Sequence, residues 1–249
     1  MSQALMTPPE LPAAGAFAAL PVGLRDLLPS ACRRRRAITD ALLDVFDRWG
    51  YAPVSTPGIE YFDIFGRGLH ESERGACVRF IEARTGEVVT LRSDVTPQVA
   101  RLAATRLGRR LDAGEALRLC YTADVVRVPE GRSERCEHHQ VGVELLGDPS
   151  PAADAELLAL CHAALSAVGL PALRIDLAHV GLAHAVLDAA GVDDDTRALV
   201  RRALARKDGG AVAQALRDAE APARLIAALV ELCELYGPPA VLDRGEARL

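Results

Sequence analysis

The chain has 249 residues, of which 50% are hydrophobic and 25% charged, a balance that excludes an intrinsically disordered protein. Its formal net charge of −5 argues against a module whose main role is to bind nucleic acid. The six cysteines form no CxxC pair, which favours reduced thiols over a disulfide framework or a zinc site. Since no apolar run reaches the ~20 residues of a membrane helix, we expect a cytoplasmic protein that does not contact a membrane.

Three segments follow one another along the chain. Residues 1–19 are rich in Ala and Pro, and no basic region precedes the apolar stretch Ala13–Leu20. This pattern predicts a disordered leader and not a signal peptide. Residues 20–176 mix strand and helix patterns, whereas residues 177–249 read only as helices with short links. The sequence therefore predicts a mixed sheet domain followed by a small helical domain.

A structured loop, Leu20–Pro29, leads into the first helix, for which Ser30 is a candidate cap. Apolar residues at helical spacing continue to Trp49, and Gly50 should end the helix. Four arginines, Arg33–Arg36, lie early in this helix, where they oppose its macrodipole. Two interpretations remain open: a solvated face, or a surface that binds an anion or a partner.

Short strands and a second helix come next. Tyr51–Val54 is a strand that cannot continue past Pro57, and Val78–Ile81 with Val88–Leu91 form a predicted hairpin. Thr96-Pro97 is a helix start, with Thr96 as the cap and Pro97 in the first turn. The later predicted strands are Leu117–Val126, His138–Leu146 and Leu173–Leu177, and the later predicted helices are Asp154–Val168, Val180–Ala190, Asp194–Ala205, Gly210–Arg217 and Ala221–Leu235.

The strand around Gly142 carries hydrogen-bonding side chains on one face. Alternation puts Val141, Val143 and Leu145 on one side and Gln140, Gly142 and Glu144 on the other. A glycine between two polar side chains leaves room for something to lie against the sheet, which predicts the floor of a small polar pocket. An ordinary half-solvated strand would show the same alternation, so this interpretation stays open as well.

The polar residues of this central region are better suited to binding an amino acid than to catalysing a reaction. Carboxylates and an amide can hold an ammonium group, and an arginine can hold a carboxylate through two hydrogen bonds. We find no GxSxG, P-loop or GxGxxG motif, and therefore predict no catalytic residues. Cys136–His139 does not predict a metal site, because neighbouring side chains of a strand point to opposite faces.

Five segments in this order give the chain a family resemblance: LPVGLRDLLP, the helix that ends at Trp49-Gly50-Tyr51, TPGIE, LRSDVTPQVAR and HHQVGVELLG. They resemble the class II histidyl-tRNA synthetase core and, within that group, its non-catalytic paralogue, the regulatory subunit of ATP phosphoribosyltransferase. The resemblance covers about Leu20 to Leu235. It implies an α+β fold, with an antiparallel sheet flanked by helices and a small helical insertion-type domain, and it places Thr56-Pro57 at a dimer interface.

The resemblance also implies a histidine site. Carried over residue by residue, the groups that grip histidine fall on Asp94, Thr96, Arg127, Gln140 and Glu144. Asp94 occupies the position where the family usually has a glutamate, so its side chain is shorter by one methylene. The loop after Arg127 does not follow the synthetase spacing, so ATP-contacting groups cannot be assigned between Arg132 and Arg135.

What the resemblance implies for function depends on the later synthetase motifs. Residues up to Leu249 contain no recognisable motif 3 or anticodon-binding domain, so we expect no catalysis by this chain. The expected role is to activate the short-form catalytic subunit and to help histidine inhibit it, as a homodimer within a hetero-oligomer. Histidine is the expected ligand, with no cofactor, metal or nucleic acid. The alternatives are a histidyl-tRNA synthetase core fragment or amino-acid-activating paralogue, and a structural or RNA-binding paralogue.

Overall fold

The computed structural model describes residues 20–69, 71–128, 135–170 and 172–248. The predicted leader, residues 1–19, and Arg132 lie outside the described residues. The described chain divides into two compact units, one ending at Leu173 and the other beginning at Arg174. The predicted division into domains, whose boundary falls a few residues later, stays a prediction.

The first unit mixes helices with two small sheets. Its helices are α1 (Pro29–Arg48), α2 (Phe62–Phe65), α3 (Glu71–Gly75), α4 (Thr96–Leu102), α5 (Gly108–Asp112) and α6 (Pro151–Ala167), with a 3-10 turn at Gly66–Gly68 and a π-helical turn at Ala103–Leu107. Its strands are β1 (Ala52–Pro53), β2 (Ile59–Tyr61), β3 (Arg79–Ile81), β4 (Val88–Leu91), β5 (Leu117–Val126) and β6 (Glu137–Leu146).

The larger of the two sheets has the strand order β1-β5-β6, in which β1 is parallel to β5 and β5 is antiparallel to β6. The smaller sheet has the order β2-β4-β3, with both pairs antiparallel. The predicted hairpin is therefore confirmed as β3 and β4. Strand β2 was not predicted; its three residues are too few to show an alternating pattern.

Both faces of the β5–β6 pair are covered by helices. Leu119, Tyr121 and Val125 of β5 form one core cluster with Val95 and Val99, at the start of α4. On the other face, Cys120 packs in a second cluster, with members from α1 and α6 (Val45, Phe46, Leu160 and Ala164). The sheet is thus one layer between two layers of helix, which gives each of its faces a separate environment.

Two helix starts differ from the prediction, that of α1 by two residues and that of α4 by one. Helix α1 begins at Pro29 with Leu28 as its N-cap and no capping side chain, so the prediction that Ser30 is the cap was wrong. Thr96 is likewise the first residue of α4 and not its cap, and the Asp94 carboxylate accepts its backbone N–H at 3.0 Å. In both helices a proline occupies one of the first two positions, where its missing N–H costs no hydrogen bond. Gly50, with φ +81°, follows the end of α1 as predicted.

The second unit is helical, with α7 (Val180–Ala190), α8 (Asp194–Ala205), α9 (Gly209–Asp218), α10 (Ala223–Leu232) and α11 (Val241–Arg248). The strand predicted at Leu173–Leu177 was wrong, because residues 172–179 form no strand. Ile175 and Leu177 are exposed, and a single extended segment without a neighbouring strand has no ladder for its backbone hydrogen bonds. None of the helices in the described ranges is long and apolar enough to cross a membrane.

Candidate ligand-binding site

The register of β5 and β6 decides which side chains share a face. Gln140, Gly142 and Glu144 lie directly opposite Ala123, Tyr121 and Leu119 (in that order). Because cross-strand partners project to the same side, these polar residues face α4 together with the apolar side chains of β5. Val141, Val143 and Leu145 pack on the other side, with the α1 and α6 cluster. The predicted division of β6 into two faces is confirmed.

Asp94 joins three of the predicted site residues. It lies just before α4, and its Oδ2 accepts hydrogen bonds from the Arg127 guanidinium at 2.9 Å and from the Gln140 amide at 3.1 Å. Arg127 Nε also donates to the carbonyl oxygen of Ser93 at 2.7 Å. Residues from the α4 entrance, the end of β5 and the middle of β6 are thus fixed relative to one another.

The remaining two residues form the second half of the same network. The Thr96 hydroxyl donates to Glu144 Oε1 at 2.7 Å, while its backbone N–H is held by Asp94. Burial raises the pKa of the Glu144 carboxyl, and the nearby Asp94 charge adds to the effect, although the Thr96 hydrogen bond opposes it. The structure therefore brings all five predicted residues together, and their role in binding histidine stays a prediction.

The room predicted above Gly142 is filled by the protein itself. A Cβ placed on Gly142 would lie 2.5 Å from the Tyr121 hydroxyl oxygen and 2.6 Å from its ring carbon Cζ. The glycine therefore admits the buried ring of its cross-strand neighbour, and the interpretation that the space was free for a ligand was wrong in this respect. Sequence reasoning missed Tyr121 because the register that places it opposite Gly142 is not visible in either strand alone.

The cavity that borders Asp94 and Arg127 is small. A cavity of about 70 Å³ is lined by Ser93, Asp94 and Arg127, with Glu73, Leu69 and Ala76 around it, whereas pockets for small molecules typically measure about 300–1,000 Å³. An amino acid would therefore have to exchange with the contact between Arg127 and Asp94.

One atom in the network can still accept a hydrogen bond. Gln140 Oε1 is buried and has no hydrogen-bond partner among the described residues. An unmatched buried acceptor costs about 1–3 kcal/mol, so a donor that reached it would bind favourably. An ammonium or imidazole N–H is a donor of the required kind.

The histidines that follow Cys136 take no part in this network. His139 lies on the opposite face, with its Nδ1 2.7 Å from Asp124 Oδ1, and His138 Nε2 lies 3.1 Å from the carbonyl oxygen of Arg135. Within the described ranges, no group of three or more His, Cys, Asp or Glu residues is placed to hold a metal ion.

Solved structures define the class of this fold. A structure titled an ATP phosphoribosyltransferase regulatory subunit/histidyl-tRNA synthetase from Bacillus halodurans C aligns over 100% of this chain and 61% of its own, with a TM-score of 0.80 and 27% identity. A histidine–tRNA ligase subunit from Alicyclobacillus acidocaldarius aligns over 94% of this chain and 77% of its own, with a TM-score of 0.65 and 26% identity. The predicted α+β fold of the class II aminoacyl-tRNA synthetase type is thereby confirmed.

Sequence comparison gives the family. A family model described as histidyl-tRNA synthetase matches residues 23–249, and the chain belongs to that family. Curated relatives named ATP phosphoribosyltransferase regulatory subunit include one from Anaeromyxobacter sp. (strain Fw109-5), 42% identical over 89% of this chain and 64% of its own. Another, from Paramagnetospirillum magneticum, is 39% identical over 90% of this chain and 60% of its own. The chain thus spans rather less than two thirds of these relatives.

Proposed function

We propose that this chain is a non-catalytic regulatory subunit of ATP phosphoribosyltransferase. It activates the short-form catalytic subunit in the first step of histidine biosynthesis, acts in the cytoplasm as a homodimer within a hetero-oligomer, and helps histidine to inhibit the complex. The observation that carries the proposal is the network of Asp94, Thr96, Arg127, Gln140 and Glu144, in a chain whose relatives carry the regulatory-subunit name.

Histidine fits the chemistry of this network. The Arg127 guanidinium suits the carboxylate of an amino acid, since a planar fork can make two parallel hydrogen bonds to it. Asp94 and Glu144 can accept from the ammonium group, and the free Gln140 Oε1 can accept a further N–H. For feedback, histidine must bind the inhibited assembly more tightly than the active one.

The first experiment measures phosphoribosyl-ATP formation by a purified short-form catalytic subunit, with and without this chain, and then with added histidine. A rate that rises on mixing and falls with histidine would support the whole proposal. Activation without sensitivity to histidine would keep the partner and remove the feedback role. No activation, together with no complex in size-exclusion chromatography, would refute the proposal.

A second experiment tests the histidine site. Gln140→Ala and Glu144→Ala should each weaken histidine binding at least about tenfold in isothermal titration calorimetry, because each removes an acceptor from a buried site. Gln214→Ala is the matched control, since this amide lies on the exposed surface of α9. Unchanged affinity in both site variants would show that histidine binds elsewhere.

A histidine-activating role is the second candidate. It is supported by the description of the family model and by the name of the Alicyclobacillus acidocaldarius structure. The two candidates differ in pyrophosphate exchange that depends on histidine and ATP, which an amino-acid-activating enzyme performs and a regulatory subunit does not. Exchange above the level of a Glu144→Ala control would favour the enzyme.

A further inference from the structure

A larger cavity lies on the other face of the β5–β6 sheet, within the first unit. Its volume is about 610 Å³, and its walls come from the loop before α1, the first half of α1 and the ends of β5 and β6. This size falls in the range of pockets that hold small molecules. It is separate from the network around Asp94, because its β6 residues include His139 and Val141, which point away from Gln140 and Glu144.

Positive charge is in excess in this cavity. Four arginines line it (Arg25, Arg34, Arg35 and Arg135), against two carboxylates, Asp124 and Glu137, in a chain whose net charge is −5. Arg35 lies 3.6 Å from Asp124. In the part of the chain that the structure describes, no carboxylate oxygen lies within ion-pair distance of the other three guanidinium groups.

Two of these arginines lie in α1. Arg34 and Arg35 lie in the second turn of the helix, whose first turn has no acidic residue and whose N-cap, Leu28, offers no capping side chain. The unfavourable interaction of a cation with the helix macrodipole is largely confined to the first turn, so the cost of this cluster comes from the neighbouring guanidinium groups and not from the dipole. A bound anion among these like charges would reduce their repulsion, which favours an anion surface over a merely solvated face for the arginine run noted in the sequence.

One wall of the cavity is apolar. Leu27, Ile38, Leu42 and Val141 line it beside the arginines, and Ile38 is 43% exposed. On the sheet side, His139 is fixed through both ring nitrogens, with Nδ1 against Asp124 and Nε2 3.2 Å from the hydroxyl oxygens of Thr39 and Thr122. Cationic groups next to an apolar wall fit an organic anion better than a bare inorganic ion.

We propose that this cavity binds a small organic phosphate. Its phosphate groups would lie among Arg25, Arg34 and Arg135, and its organic part would lie against Ile38 and Val141. Phosphate suits these arginines better than a carboxylate, because it carries up to two charges and presents enough oxygens to bind several guanidinium groups at once. The proposal does not depend on the regulatory role or on the histidine site.

The test measures binding of two probes, adenosine diphosphate and inorganic pyrophosphate, to the full chain by isothermal titration calorimetry at constant ionic strength. Adenosine diphosphate should bind more tightly than pyrophosphate, because only it reaches the apolar wall. Arg34→Ala should weaken its binding about tenfold or more, whereas Arg33→Ala, which removes a neighbouring charge outside the cavity, should not. Ile38→Asp, at an exposed position that tolerates a polar side chain, should weaken the binding of both probes, because its carboxylate would repel any phosphate held by the neighbouring arginines.

Three results would overturn the proposal. One is the absence of binding by either probe at millimolar concentration. Another is an equal loss in Arg33→Ala and Arg34→Ala, which would indicate a diffuse attraction of anions to the helix. The third is a change in the molecular mass of the particle in light scattering when Arg34 is replaced, with no change in probe binding, since this would identify the cavity as a contact between copies of the chain.

Discussion

Replacing Gly142 by alanine tests the arrangement at the centre of the site. The Cβ added there would lie 2.5 Å from the Tyr121 hydroxyl oxygen and 2.6 Å from Cζ, closer than such atoms approach in folded proteins. The Tyr121 ring is 9% exposed and belongs to the core under α4, so it cannot move aside freely. We expect the ring to be displaced from its position beside Thr96 and Glu144.

The expected cost follows from two opposing effects. Overpacking in a well-packed core costs about 1–3 kcal/mol. Alanine also restricts the unfolded chain, which stabilises the folded state by about 0.4–1 kcal/mol when the backbone conformation is compatible, as it is here, since Gly142 does not have a positive φ. Because contacts of 2.5 and 2.6 Å are a severe clash, the overpacking cost should lie in the upper half of its range, at about 2–3 kcal/mol. Gly142→Ala should therefore lower the free energy of unfolding by about 1–2.5 kcal/mol.

Trp49 provides the assay, since it is the only tryptophan of the chain and lies at the end of α1 in the first unit. Urea denaturation followed by its fluorescence reports the stability of that unit. Gly58→Ala is the control, because a Cβ there meets nothing within 4 Å. Equal stability of the Gly142→Ala and Gly58→Ala variants would refute the reasoning, as would an undiminished cost of Gly142→Ala in a Tyr121→Val background.

Two further predictions concern carboxylates. Burial raises the pKa of Glu144, so its contribution to stability is complete at pH below about 4.5 and is lost as the pH rises through the raised pKa. The midpoint of urea denaturation should therefore decrease as the pH rises from acidic to neutral, and Glu144→Gln should make this decrease smaller. The same decrease in the variant and in the original protein would contradict the prediction. Arg118 donates to both carboxylate oxygens of Glu156 at 2.7 and 2.6 Å, joining β5 to α6. Glu156→Gln should cost about 1 kcal/mol in urea denaturation, whereas Asp176→Asn, in a pair that is mostly exposed, should cost nothing measurable; equal effects would contradict this.

The long elements could be predicted from the sequence because their patterns repeat over many residues. Leu117–Val126 is a strand over the residues that the sequence indicated, and the next strand begins one residue before the predicted start. Two helix starts were misplaced, by two residues for α1 and by one for α4, because a proline near a helix start is compatible with more than one starting point. The false strand at Leu173–Leu177 shows the opposite limit, since no strand of the described residues pairs with this apolar segment.

The sequence predicted which residues form the site, but not the contacts that these residues make with one another. Alternation along β6, together with the family resemblance, selected Gln140 and Glu144, and the register of the sheet confirms that they share a face. Neither source could show that Tyr121 fills the space over Gly142, or that Asp94 binds Arg127 directly. Such contacts depend on the pairing of segments far apart in sequence, which a pattern within one segment does not contain.

The two faces of the β5–β6 sheet differ in whether a ligand must displace contacts within the protein in order to bind. Around Asp94 the polar groups already bind one another, so the histidine that we propose as ligand would have to exchange with the internal hydrogen bonds of Arg127 and Gln140. In the cavity beside α1, no carboxylate oxygen of the described residues lies within ion-pair distance of Arg25, Arg34 or Arg135, so the phosphate that we propose there would displace no ion pair of these three side chains. A ligand that must change the protein in order to bind is suited to act as a signal, because its affinity then depends on which conformation is favoured. We therefore expect regulation to act through the Asp94 network, and the α1 cavity to retain its ligand in either state.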